Sequence, residues 1–148
     1  MDSTIQCDIV SFGKEIFSGP VSMIIASGIN GDLGIAPRHA PLITILKPGP
    51  VRLVLPDGEE TVFVIGGGML EVMPHVVSVL ADSATRATDM DEAAARRAQK
   101  DAERTIKTAK RRMEIAEAEA QLRMAIAELR ELDRMRKKGQ RSQAPKTL

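Results

Sequence analysis

The sequence predicts a mixed, two-part fold: an N-terminal antiparallel β-sandwich or flattened barrel, followed by a C-terminal two-helix antiparallel hairpin. Three observations predict it. Ten of the 11 glycines fall at or before Gly68, and seven of the eight prolines at or before Pro74. From His75 to Lys138 there is neither residue. Glycine and proline punctuate strands and turns and are poor inside helices, so the architecture changes near residue 87. The charge changes there too: residues 1–87 carry a net −4 and residues 88–148 a net +5. A near-neutral whole thus hides an acidic body and a basic arm, an asymmetry that concerns partners rather than fold.

The first element is a half-buried strand over residues 4–10, where Ile5, Cys7 and Ile9 alternate with Gln6 and Asp8. Short β-rich runs follow at Val21–Ala26, Leu42–Leu46, Val51–Leu55, Thr61–Ile65, Met69–Met73 and Val76–Leu80. Turn signals separate them at Ser18-Gly19-Pro20, Asn30-Gly31-Asp32, Lys47 to Pro50, Pro56-Asp57-Gly58, Gly66 to Gly68 and Pro74-His75. Several short strands at this spacing, with no helix-length periodic segment between them, predict a sandwich and not a parallel βαβ sheet. This first unit covers residues 1–87. With no Trp or Tyr and only Phe12, Phe17 and Phe63, its core must be aliphatic.

The helical unit, residues 88–138, opens on a capping-box pattern, Asp89 with Glu92 three residues on. Ala95, Ala98, Ala102, Ile106 and Ala109 form one stripe at steps of three and four. Ala118, Leu122, Ala125, Leu129 and Leu132 form a second. Alanine stripes let two helix axes approach to the short end of about 8–10 Å. The stretch Thr108-Ala109-Lys110-Arg111-Arg112 carries only a weak stop signal, so two states stay open. A hairpin packs the stripes on each other. A continuous helix of about 48 residues would reach roughly 70 Å and need a partner to cover its stripe. Residues 139–148 read as a flexible basic tail.

Much chemistry is missing. The lone Cys7 excludes an internal disulfide and, inside a strand, reads as a small core hydrophobe. His39 and His75 are too few for a metal site. There is no nucleophile elbow, and Gly66-Gly67-Gly68 lacks the Lys-Ser/Thr of a phosphate loop. The basic arm has no aromatics for base stacking and the β unit is acidic, which argues against nucleic acid as a partner. No run approaches the ~18 apolar residues of a spanning helix, and no basic, apolar leader is visible, so the chain reads as soluble, or peripheral to something larger. No catalytic residue and no cofactor are expected.

One segment carries more. Residues 31–53 read GDLGIAPRHAPLITILKPGPVRL, a rigid loop with Pro37 and Pro41 on either side of Arg38-His39-Ala40. This stretch closely resembles the ε-subunit family of bacterial F-type, proton-driven rotary ATP synthases, in its Gly-acid-Leu-Gly-Ile turn, His-Ala-Pro-Leu and Lys-Pro-Gly. The likeness continues through Gly67-Gly68-Met69-Leu70-Glu71-Val72 and Val79-Leu80-Ala81-Asp82, and covers residues 4–135 in order. The resemblance implies a non-catalytic central-stalk subunit whose sandwich clamps γ and joins it to the c ring, coupling proton flow to ATP synthesis. It implies contact with γ or the c ring through Asp32, Arg38, His39 and Leu42. It places the subunit peripherally, on the cytoplasmic face of the bacterial inner membrane. The helices then fold on the sandwich or extend along γ toward the catalytic α and β subunits, the extended form inhibiting hydrolysis. The arm that would act so carries Arg123, Arg130, Arg134, Arg136, Lys137 and Lys138, with Arg141 and Lys146 beyond.

The sequence departs from the family at one place. Members that bind ATP carry Ile/Leu-Asp-x-x-Arg-Ala at the start of the first helix; here Asp91 remains but Ala94 replaces the arginine. ATP binding is therefore not expected. The alternative reading is a stand-alone nucleotide-sensing or other small-ligand module built from the same two units.

Overall fold

The computed structural model describes residues 3–143, with side chains described for residues 3–139. Eight strands form the first unit: β1 (Ile5–Ser11), β2 (Lys14–Val21), β3 (Met23–Gly28), β4 (Gly31–Ile35), β5 (Leu42–Val54), β6 (Glu60–Val72), β7 (Val76–Ala81) and β8 (Ala84–Arg86). Two helices follow, α1 (Glu92–Thr108) and α2 (Arg112–Gln143). The strand order is β2-β1-β7-β6-β5-β3-β4, with β8 beside β6.

The sheet differs from the expected antiparallel one at a single seam. β1 and β7 run parallel, Gln6 opposite Val76 through Val10 opposite Leu80, so the sheet is mixed. Alternation in residues 4–10 dictates which side chains face inward but is the same for either partner direction.

The expected breaks at Lys47 to Pro50 and at Gly66 to Gly68 are not turns. Each lies inside one 13-residue strand. β5 and β6 stay paired from Leu42 opposite Val72 to Val54 opposite Glu60, and both bend near Pro48 and Gly66, where the core-facing alternation switches from Leu46 to Val51 and Leu53, and from Phe63 and Ile65 to Leu70 and Val72. This bent ribbon belongs to both halves of the sandwich. Glycine is required at the bend: Gly68 has φ 153°, and a Cβ there would collide with the Leu80 carbonyl oxygen. Ser18-Gly19-Pro20 is likewise strand, in β2, where Pro20 lies on the sheet's outermost strand and needs no ladder donor. The first hairpin turns instead at Phe12-Gly13, with φ 51° and 70°. Gly34 also lies within a strand, β4, opposite Ile25.

The core fills the space between the halves. Ile9, Ile24, Leu53, Leu70, Val72 and Val79 are fully buried. Phe63 stacks at a tilt on Phe17, ring centroids 5.8 Å apart, and the Arg86 guanidinium covers its ring at 5.0 Å. Cys7 is buried among them, as expected of a small hydrophobe. Burial, and then the neighbouring Asp8 charge, push its thiol up to about 12, so it is no nucleophile.

The first helix is capped by Asp91 and not by Asp89, which lies in a short 3-10 turn over Ala87–Asp89. The Asp91 carboxylate accepts from the backbone N–H of Ala93 at 3.0 Å and of Ala94 at 3.3 Å. The helices separate at Ala109, which is extended at ψ 140°. Just before it the Thr105 and Thr108 hydroxyls donate to the carbonyls of Asp101 and Arg104, the back-bonding that weakens a helix end. The hairpin state is the one observed. Ala95 and Ala102 of α1 and Ala118 and Ala125 of α2 are all buried, whereas Ala98 of the expected stripe is exposed. α2 continues through Gly139 to Gln143, past the Lys138 boundary drawn from the sequence. The Arg141 side chain and Lys146 lie outside the described residues.

Candidate functional site

Two surfaces and one cleft account for the expected functional residues. The first surface starts at the Pro37–Pro41 loop. Asp32 lies on β4 opposite Ser27, its side chain exposed. Arg38 adopts φ 65° and its backbone N–H donates to the Pro74 carbonyl at 3.3 Å, tying the loop to the β6–β7 turn. The His39 ring Nδ1 lies 2.7 Å from the Ala40 carbonyl oxygen and its backbone N–H donates to Ala36, so this imidazole satisfies its own loop. Leu42 opens β5, half buried against the core.

Beside that loop the outer face of the sandwich is apolar. Ile45, Met69 and Leu80 are cross-strand neighbours on β5, β6 and β7, and Ile43 sits two residues along. They are 53, 45, 53 and 68% exposed respectively. A sheet facing water would carry polar residues there. The reading of the sequence missed this strip. Its trace was the run Leu42-Ile43-Thr44-Ile45-Leu46, apolar at outward positions as well as inward ones.

The other half of the same β5–β6 ribbon is covered by α2. Val64 points away from Phe63 and Ile65 of the core, yet it too is fully buried, because α2 packs over that face. At the centre of this contact lies Glu131 of α2, whose side chain is 2% exposed. It pairs with Arg134 at 2.6 Å and with Arg52 of β5 at 3.4 Å. The Glu131 carboxylate beside it pushes the Arg134 guanidinium up from its ordinary value. Further along, Lys138 reaches Glu60 of β6 at 3.3 Å, and Arg136 reaches Glu92 of α1 at 2.7 Å. Hydrogen bonds from Arg96 and Arg136 hold Glu92 below the usual carboxylate range. Lys137 pairs within its own helix with Asp133. Of the expected arm cations, Arg123 and Arg130 alone make no ion pair among the described residues. With Lys47, Arg52 and Arg134 they line a groove of about 540 Å³ between β5 and α2.

The cleft lies where the start of α1 and the middle of α2 meet the sandwich, about 740 Å³ in volume. Ala94 is on its wall, with Asp82, Asp89, Asp91 and Glu128 against a single Arg123. Asp91 is engaged as the α1 cap. Burial pushes the Glu128 carboxyl up, partly offset by a hydrogen bond from Thr85 at 3.4 Å. Such a cleft is poor in the cations and donors that phosphate needs. Among the described residues no group of His, Cys, Asp and Glu could hold a metal ion, and no helix is long and apolar enough to cross a membrane.

Comparison with known proteins agrees with this geometry. A family model described as the β-sandwich domain of the ATP synthase delta/epsilon chain matches residues 4–87. An ATP synthase epsilon chain from Stenotrophomonas maltophilia is 59% identical over 102 residues, 69% of this chain and 73% of that protein. One from Acinetobacter baumannii is 55% identical over 101 residues, 68% and 73% respectively. Among solved structures, a chain of the Euglena gracilis mitochondrial ATP synthase OSCP/F1/c-ring assembly shares the fold. Its TM-score is 0.74 at 19% identity, covering 89% of this chain and 83% of that one. The chain belongs to the ATP synthase delta/epsilon chain family.

Proposed function

We propose that this non-catalytic central-stalk subunit of the F-type ATP synthase joins γ to the c ring through the bare half of its sandwich, at the cytoplasmic face of the bacterial inner membrane. The observation that carries this reading is the strip Ile43, Ile45, Met69 and Leu80, an exposed apolar face four side chains wide. Exposed apolar patches of this kind mark protein contacts. The strip meets γ. The adjoining residues Asp32, Arg38, His39 and Leu42 carry the contact on to γ and the c ring. Ile45→Glu tests this: it puts a charge in the strip without touching the core. The variant chain is expected to fold normally but to lose at least tenfold in affinity for purified γ, since burying an unpaired carboxylate costs several kcal/mol. Unchanged affinity would move the γ contact elsewhere.

The arm is the brake on hydrolysis. In the docked hairpin Arg136 and Lys138 are spent on Glu92 and Glu60, so braking requires the arm to open and offer them, with Arg123, Arg130, Arg134 and Lys137, to the catalytic subunits. Exposed pairs contribute only about 0–1 kcal/mol each, so several must act together. Apolar burial of Leu122, Ile126 and Leu129 against γ supplies the remainder. Deleting residues 110–148 is expected to raise the ATPase rate of the assembled enzyme while proton-coupled synthesis persists. An unchanged rate would leave the arm a structural appendage.

The nucleotide-sensing reading is less favoured. The cleft beside Ala94 sets four carboxylates against one arginine, which repels a triphosphate. Micromolar ATP affinity in the isolated chain, with the resonances of Ala94 and Ala98 shifting, would reverse the preference.

A further inference from the structure

We propose that the groove between the bend of β5 and α2 binds an inorganic oligophosphate, and that its occupancy holds the arm against the sandwich. Both units build this groove. The sandwich contributes Lys47 and Arg52, and α2 contributes Arg123, Arg130 and Arg134. One carboxylate, Glu131, faces these five cations, and it is already taken by Arg52 and Arg134. Docking the arm therefore gathers a local charge of +3 at one seam, from Lys47, Arg52, Arg130 and Arg134 against Glu131, with Arg123 shared with the acidic cleft. Like charges brought together in this way oppose the contact that creates them. A multiply charged anion turns that opposition into attraction.

Shape and donor chemistry narrow the anion. The groove's volume of about 540 Å³ is that of a small-molecule site. One wall is the stiff Pro48-Gly49-Pro50 segment, with Ser27 beside Gly49. Guanidinium forks and an ammonium present donors almost exclusively, so the ligand must be rich in acceptor oxygens. Three uncompensated charges suit pyrophosphate or tripolyphosphate better than a monocarboxylate. No aromatic ring lines the groove, so nothing stacks on a base. α1 contributes no residue to it, and Arg123 is the one lining residue it shares with the cleft beside Ala94. Because the site exists only while α2 is docked, any ligand of it stabilises the docked arm by mass action.

Titration of the isolated, isotope-labelled full-length chain with tripolyphosphate, followed by two-dimensional NMR, tests this apart from the γ-binding reading. Saturable shifts are expected at Ser27, Lys47, Gly49, Arg52 and Arg130, with amide exchange in α2 slowing as the groove fills. Lys47→Gln and Arg130→Gln, both at exposed side chains, should each weaken binding about threefold to fivefold, and together about tenfold or more. Lys107→Gln on α1 should leave it unchanged. ATP should shift the same groove residues no more tightly than tripolyphosphate. Four results would overturn the proposal: no saturation by tripolyphosphate, equal affinity in the Lys47→Gln/Arg130→Gln variant, saturation without slower exchange in α2, or binding by ATP alone.

Discussion

The β5–β6 ribbon has two outer halves, and the chain treats them differently. Beyond the bend at Pro48 and Gly66, Arg52 and Val64 lie under α2, their polar and apolar needs met within the molecule. On the near side Ile43, Ile45 and Met69 lie bare. One continuous pair of strands thus offers one face to its own arm and leaves the other open. The difference teaches that the arm is an internal partner: it covers one half, and the proposed γ contact would cover the other. Its contact with the sandwich is mixed, with buried Val64 and Ala127 beside ion pairs.

The comparison rests on the bend, so breaking the bend has the largest expected effect. Gly68→Ala drives a Cβ into the Leu80 carbonyl at a backbone conformation that side chains avoid. Loss on the order of 3–5 kcal/mol of unfolding free energy is expected in urea titrations. A loss below about 1 kcal/mol would mean that the two halves are not coupled through this ribbon.

Glu131→Ala attacks the covered half alone. It leaves the half-buried Arg52 and Arg134 without their shared carboxylate. We expect the arm to lose about 2 kcal/mol of docking free energy, the scale of a lost buried charge-assisted hydrogen bond. Amide exchange should then quicken across α2 while the core strands β1 and β7 stay protected. Equal acceleration in both units would show that the arm and sandwich unfold as one.

The smallest effect sharpens the comparison through pH. Burial raises Glu128, so the docked fold favours its protonated form; ionisation above that value opposes docking. Glu92 is lowered, so its pair with Arg136 holds α1 to α2 above its ordinary range and is lost as pH falls through the folded value. Glu128→Gln should therefore strengthen docking by a few tenths of a kcal/mol at neutral pH. The gain should vanish in acid, where the wild-type carboxyl is already protonated. A gain that persists unchanged in acid would assign the effect to something other than ionisation.

Local chemistry was legible from the start. The change from strands to helices, the inward alternation of Ile5, Cys7 and Ile9, the cap signals around residues 89–92 and the small-residue stripes all depend on neighbours within a few positions. Even there the choice between Asp89 and Asp91 as the cap went the other way, since which aspartate closes the helix depends on where the incoming strand β8 delivers the chain. The loop of Arg38 and His39 was legible through Pro37 and Pro41, whereas Asp32 and Leu42 lie on the flanking strands β4 and β5. Long-range pairing was not. That Lys47 to Pro50 and Gly66 to Gly68 are bends inside paired strands follows only from their lying opposite each other. The parallel seam of β1 with β7, the burial of Val64, the bare isoleucines and the meeting of Glu131 with Arg52 also join residues far apart in the chain. By itself the sequence determined the type of each unit, because propensity and periodicity act locally. Tertiary structure alone decided which faces are covered, because burial is a property of pairs of surfaces and not of either strand.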